Sequence, residues 1–122
     1  MKIEKVKLLS DKTVAITGSK SISNRLLILG KLFGDLKLEN ISNSQDTQLL
    51  QKAINEESEI VDIHHAGTAM RFLTSYFATK EGKKTVLTGS SRMKQRPIKP
   101  LVDALRVLGA DINYLENEGF PP

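Results

Sequence analysis

Apolar and polar positions recur in a fixed order along the chain: a short β-branched alternation, a polar loop, then an apolar stripe at helical spacing. Thr13-Val14-Ala15-Ile16-Thr17 alternates and predicts a strand. After Gly18-Ser19-Lys20-Ser21 come Ile22, Leu26, Leu29 and Phe33. Their spacing of i, i+4, i+7 and i+11 puts them on one helical face, with Gly34 as the stop. Leu36-Lys37-Leu38 is a second strand candidate, residues 40–46 a polar loop, and Leu49, Leu50, Ala53 and Ile54 a second stripe. Residues 59–63 predict a third strand, 64–68 its loop, and Met70, Leu73, Tyr76 and Phe77 a third stripe. Residues 84–88 predict a fourth strand, followed by the longest loop, 89–96. Pro97 suits helix entry, where no N–H is required, and Ile98, Leu101, Val102, Leu105 and Leu108 lead on to Gly109. Ile112 and Tyr114 alternate in a fifth, short strand.

The units repeat an architecture about every 24 residues, with only weak likeness between their sequences. Such alternation predicts a mixed α/β chain rather than an all-α or all-β one. Lys2-Ile3-Glu4-Lys5-Val6-Lys7-Leu8 reads as a further strand with no evident partner nearby.

Composition narrows the functional classes. A chain of 122 residues with 39% hydrophobic and 26% charged positions has the length of one compact domain and is neither disordered nor membranous. No apolar run approaches the roughly 18 residues of a membrane span, and Met1 to Lys5 shows no secretory h-region. The absence of cysteine excludes a disulfide framework, a thiolate metal site and a cysteine nucleophile, and fits a reducing, cytoplasmic setting. A net charge of +4 points to anionic partners. With no tryptophan and 5% aromatics there are too few stacking groups for a nucleic-acid platform.

Most of the unusual residues fall in the strand-to-helix loops, where ligands of alternating sheets collect and helix N-termini converge. Gly18-Ser19-Lys20-Ser21, with Arg25 one turn on, reads either as an anion cradle or as a Ser-capped helix with a solvated Lys and Arg. Ser19 interrupts any Gly-Lys-Ser sequence, so this is no Walker A loop. Ala66-Gly67-Thr68-Ala69 admits close ligand approach at Gly67, or is a simple turn with Thr68 as N-cap. Gly89-Ser90-Ser91-Arg92-Met93-Lys94-Gln95-Arg96-Pro97 gathers three cations beside a helix start, either as an anion site or as a solvated basic loop. Pro97 favours an extended Arg96, suited to aim its guanidinium fork at a phosphate or carboxylate. His64-His65 shows no third ligand, and neighbouring strand side chains point apart, which argues against a metal site.

Taken together, Gly18-Ser19-Lys20-Ser21-Ile22-Ser23-Asn24-Arg25, Ala66-Gly67-Thr68-Ala69-Met70-Arg71, Arg92-Met93-Lys94-Gln95-Arg96-Pro97 and Leu101-Val102-Asp103-Ala104-Leu105 resemble the N-terminal motifs of the 3-phosphoshikimate 1-carboxyvinyltransferases. The likeness runs from about Gly18 to Pro122. It implies an enolpyruvyl transferase fold built from βαβαββ units in two domains, of which only part is present. Residues 1–17 would then be a strand segment of the lower domain and 18–122 the N-terminal part of the upper domain. The implied reaction moves the carboxyvinyl group of phosphoenolpyruvate to the 5-hydroxyl of shikimate 3-phosphate, without cofactor, metal, nucleic acid or membrane. Lys20 is implied as catalytic and in contact with both substrates. Ser21 and Arg25 would hold shikimate 3-phosphate, and Gly67 and Arg96 phosphoenolpyruvate, with Asp46, His65, Thr68 and Arg71 lining the cleft. The alternatives are the sibling family acting on UDP-N-acetylglucosamine, which has Asn where Ser21 stands and usually a reactive Cys before the Arg-Pro, and a non-enzymatic basic module binding nucleic acid. His65 replaces a common Asn and Phe72 a common Pro. The resemblance implies a monomeric full-length enzyme and an inactive fragment, able to self-associate through its unpaired first strand.

Overall fold

The computed structural model describes residues 11–34, 36–56 and 58–122. Among the described residues four α-helices, α1 (Lys20–Phe33), α2 (Gln45–Glu56), α3 (Gly67–Ala78) and α4 (Lys99–Val107), accompany a pair of short strands, β1 (Ile60–Asp62) and β2 (Val86–Thr88). The strands run parallel in the register Ile60↔Val86, Val61↔Leu87 and Asp62↔Thr88. Helix α3 connects them, which is the crossover a parallel pair requires. The mixed α/β class predicted from the alternation is what the chain adopts. Among the described residues no helix is long and apolar enough to cross a membrane.

The stripes of α2 and α3 behave as their spacing predicts. Leu50, Ala53 and Ile54 from one, and Met70, Leu73 and Tyr76 from the other, are buried in a single cluster with Val61, Ile63, Met93 and Val102. Gly34 closes α1 at φ 71°, a left-handed conformation that costs glycine little. Gly109, at φ 95°, does the same after α4. The entry to α4 is displaced from the expectation: the helix begins at Lys99 with Pro100 in its first turn, and Pro97 lies before it.

Three predicted strands do not form. Residues 13–17, 36–38 and 112–114 join no ladder among the described residues. A strand is stable only when its N–H and C=O groups find a neighbour, and β-branched alternation supplies the surface without the partner. Among the described residues this end is tied down by Thr17 Oγ1 donating to Asn43 Oδ1 at 3.3 Å, and by a backbone bond, Gly18 N–H to Asn40 C=O at 3.0 Å. A Cβ on Gly18 would overlap that oxygen and stand 3.3 Å from its carbonyl carbon, so the approach depends on glycine. The strand expected at Lys2 to Leu8 lies outside the described residues.

Helix α1 also departs from its pattern. The stripe expected to be its core face is outward, with Ile22 60% and Phe33 77% exposed and Leu26 and Leu29 beside them. The covered side is instead Ser23, Asn24 and Leu27. The oxygens of these polar side chains are bonded: Ser23 Oγ accepts from Ser42 N–H at 2.9 Å, and Asn24 Oδ1 from Thr47 Oγ1 at 2.7 Å.

These differences give a direct stability contrast. Leu50→Ala should lower unfolding stability by about 3 kcal/mol through the cavity it leaves, whereas Phe33→Ser should change it by less than about 1 kcal/mol. Urea denaturation of the two variants measures both. A loss at Phe33 equal to that at Leu50 would place α1 the other way round.

The C-terminal segment is held to α4 by Ile98 N–H donating to Gly119 C=O at 2.9 Å, and by Lys99 Nζ, 2.7 Å from Glu118 Oε1 and 3.5 Å from Asp103 Oδ1. Hydrogen bonding to Lys99 lowers the Glu118 carboxyl, and the same bond raises Lys99. The Glu118 contribution to stability is therefore present above the ordinary glutamate range and is lost as pH falls through its lowered value. The Lys99 contribution is complete below the ordinary lysine range and is lost as pH rises through its raised value. The melting-temperature gap between the native chain and Glu118→Gln should accordingly close on acidification and shrink in high salt, since the pair is exposed. A gap that persists in acid would remove this pair from the account.

Candidate functional site

The parallel register brings the carboxyl ends of β1 and β2 side by side, so the loops that follow them leave from one edge. Asp62, the last residue of β1, accepts the His64 N–H at its Oδ1 at 2.7 Å, and His64 turns the chain at φ 48°. Its carbonyl then accepts the Ser90 N–H from the loop after β2 at 2.9 Å, which draws the two loops together. His65 enters this arrangement through its carbonyl, which accepts the Gly67 N–H at 2.9 Å.

Helix α3 starts at Gly67. Its N-cap is Ala66, which offers no capping side chain, and Thr68 lies inside the first turn rather than at the N-cap. The space a Cβ would take at Gly67 is filled by Arg96: such an atom would overlap Nη1 and stand 2.9 Å from Cζ. Gly67 thus makes room for a guanidinium as well as leaving backbone open. Arg96 itself is extended, at φ −97° and ψ 119°, as expected of a residue before proline. Arg71 completes the group by donating from Nη1 to the Gly67 carbonyl at 3.3 Å.

A second group forms where α1 meets α2. Ser19 is the N-cap of α1 but makes no side-chain capping bond, so the Ser-capped alternative is not the one adopted. Lys20 Nζ stands 3.4 Å from Asp46 Oδ2, and Asp46 lies in the first turn of α2, where a carboxylate suits the helix dipole. Arg25 donates from Nη1 to the Ser21 carbonyl at 2.9 Å, and its guanidinium lies 5.6 Å from the centroid of the Phe72 ring on α3. Phe72, noted in the sequence only as a departure, therefore joins the α1 group to the helix that carries Gly67.

The three cations of the loop after β2 do not act alike. Lys94 turns to Glu116, 2.6 Å away, while Arg96 turns to α3. Lys20 and Lys94 each have a carboxylate partner, whereas Arg25, Arg71 and Arg96 have none among the described residues. Unpaired arginines with a fixed fork suit phosphate and carboxylate. A cavity of about 580 Å³ between α3, β2 and residues 111–115 includes none of these residues. Sequence reasoning missed Asn24 and Thr47, whose polar side chains are buried against each other. The adjacent polar pair Ser23 and Asn24 inside an apolar helix pattern is the one sign available in the sequence.

Residues 50–122 match the family described as EPSP synthase (3-phosphoshikimate 1-carboxyvinyltransferase). The chain belongs to this family. A 3-phosphoshikimate 1-carboxyvinyltransferase of Bacteroides fragilis (strain YCH46) is 55% identical over 111 residues, which is 90% of this chain and 27% of the relative. Pentafunctional AROM polypeptides are also similar: that of Schizosaccharomyces japonicus is 43% identical across 93% of this chain, in 9% of its own length. The chain thus spans about a quarter of the Bacteroides EPSP synthase relative it matches. Gly67, Thr68, Arg71 and Arg96 fall inside the matched EPSP synthase region, and Lys20, Ser21, Arg25 and Asp46 precede it.

The contact between Gly67 and Arg96 is open to a clean test. Gly67→Ala should leave stability within about 1 kcal/mol, because the atom displaced is the mobile end of an exposed side chain and alanine favours a helix. It should nevertheless move the Arg96 guanidinium, seen as a shift of its Nε–H resonance. An unmoved Arg96 resonance would separate the two residues.

Proposed function

We propose that this chain supplies the anion-holding part of a 3-phosphoshikimate 1-carboxyvinyltransferase. The observation that carries the reading is the Arg96 guanidinium seated against Gly67 at the start of α3, where no side chain caps the helix and no carboxylate among the described residues pairs with Arg96. Guanidinium and helix dipole both favour an anion at that point, and phosphoenolpyruvate brings a phosphate and a carboxylate. Gly67 and Arg96 are assigned to phosphoenolpyruvate, and Ser21 and Arg25 to shikimate 3-phosphate. Lys20 is assigned to both as the catalytic residue. Asp46, His65, Thr68 and Arg71 line the same cleft.

In this reaction the 5-hydroxyl gives up its proton to a base as its oxygen bonds to the central carbon of phosphoenolpyruvate, and the methylene carbon takes a proton to become a methyl group. Loss of a methyl proton and of phosphate from the tetrahedral intermediate then gives the enol ether. Fixed cations stabilise the negative charge that the two substrates bring and that the departing phosphate carries away. The Lys20 ammonium, shared with Asp46 and half exposed, is available to exchange that partner for substrate oxygen.

The division between lower-domain residues 1–17 and upper-domain residues 18–122 belongs to the same proposal. Two features support it: residues 13–17 join no ladder among the described residues, and the apolar side of α1 is left uncovered by them. Both are surfaces that more chain of a longer enzyme would cover.

Calorimetric titration of the chain with phosphoenolpyruvate and with shikimate 3-phosphate tests the assignment. Arg96→Ala should weaken the first by about tenfold, Arg25→Ala the second by a similar factor, and added salt should weaken both. Equal binding by native and substituted chains would sink the reading.

A further inference from the structure

Two contacts cross between the starts of α1 and α2 like successive rungs. The outer rung is Lys20 with Asp46, 3.4 Å apart and partly in solvent. The inner rung is Asn24 with Thr47, where Thr47 Oγ1 donates to Asn24 Oδ1 at 2.7 Å. Asn24 follows Lys20 by one helical turn on the same side of α1, and Thr47 follows Asp46 directly on α2. Asn24 is 0% and Thr47 1% exposed. The inner rung is extended by Ser44 Oγ, 2.9 Å from Thr47 Oγ1, and by Ser42 Oγ, which accepts the Ser44 N–H at 3.2 Å. Ser23 Oγ then accepts the Ser42 N–H, closing the network back onto α1.

As a source of stability Asn24 is a poor choice for this position. Its Nδ2 is buried and has no hydrogen-bond partner among the described residues. A half-satisfied buried amide stabilises less than an apolar side chain of the same shape. What it provides is direction, since one amide oxygen meeting one hydroxyl allows a single axial register between two helices. A buried asparagine between helices has this use elsewhere, fixing register at a cost in stability.

We propose that Asn24 and Thr47 are positioning residues that set the register of α1 on α2 and so hold the Lys20 ammonium beside Asp46. The consequence for catalysis rests on the assignment of Lys20 made above. The register itself does not.

The test uses the 122-residue chain. The Lys20 side-chain resonances, assigned through Lys20→Arg, report its pairing with Asp46, and Asp46→Asn gives the unpaired position. Thr47→Val removes the hydroxyl while keeping the volume, and should move the Lys20 signal to that unpaired position. Thr47→Ser, which retains the hydroxyl, should leave the signal where it is. A folded Thr47→Val with an unmoved Lys20 signal would overturn the proposal; if that variant does not fold, Thr47→Ala is judged by the same signal. Phosphoenolpyruvate affinity gives the second arm. Thr47→Val should weaken it about fivefold in the native background and not at all in Lys20→Ala. An equal loss in both backgrounds would show a purely structural role and reject positioning. No phosphoenolpyruvate binding by the native chain would reject the functional assignment, while the Lys20 signal would still decide the register.

Discussion

The packing of α3 against four neighbouring elements is the constraint from which the rest of the arrangement follows. The helix packs against α1, α2, α4 and β2, and its inward residues Met70, Leu73 and Tyr76 are buried almost completely. A helix packed closely along its buried face against four neighbours cannot slide or turn without opening voids along its length. Its first turn is therefore a fixed point, although it lies at an edge of the fold. Gly67 and Arg71 take their positions directly from it. Arg96 takes its position at one remove, through the space at Gly67, and Arg25 likewise, through the Phe72 ring.

Charge is distributed over this frame unevenly, in a way that bears on chemistry. The lysines of the site region are paired, Lys20 with Asp46 and Lys94 with Glu116, whereas Arg25, Arg71 and Arg96 have no carboxylate partner among the described residues. Backbone carbonyls orient Arg25 and Arg71 instead, at Ser21 and Gly67. A carbonyl fixes a guanidinium in place without cancelling its charge. Orientation without neutralisation is what an anion-binding fork needs, since a resident carboxylate would have to be displaced by each incoming ligand. Lys20 is the exception, and its partner Asp46 holds the ammonium in place.

The sequence made legible those features that depend on residues close to one another in the chain. The α2 and α3 stripes, the helix stops at Gly34 and Gly109, the extended Arg96 before Pro97 and the loops rich in glycine and cations all belong to this kind. The features it hid depend on distant partners. Thr13 to Thr17 has the propensity of a strand, but whether it pairs is decided elsewhere in the chain. The α1 pattern correctly marks Ile22, Leu26, Leu29 and Phe33 as one apolar face, yet periodicity cannot say whether that face or the opposite one meets the neighbours present. Gly67 was legible as a special position and its reason was not, because the guanidinium that needs the space comes from the far side of β2.

Helix α1 and helix α3 are consequently held by different physics, and the site needs both. Apolar burial fixes α3 strongly but without direction, because one buried leucine contact resembles another. Hydrogen bonds fix α1 through Ser23 Oγ and Asn24 Oδ1, acceptors whose partners Ser42 N–H and Thr47 Oγ1 are met in one geometry and lost in others. An amphipathic helix whose apolar side is left outward gains little from burial by the residues present, so its rotation and axial position are set by that polar network. Lys20, Ser21 and Arg25 ride on the same helix. Their placement relative to Gly67 and Arg96 therefore depends on a few short polar contacts near Thr47, and only secondarily on the hydrophobic core.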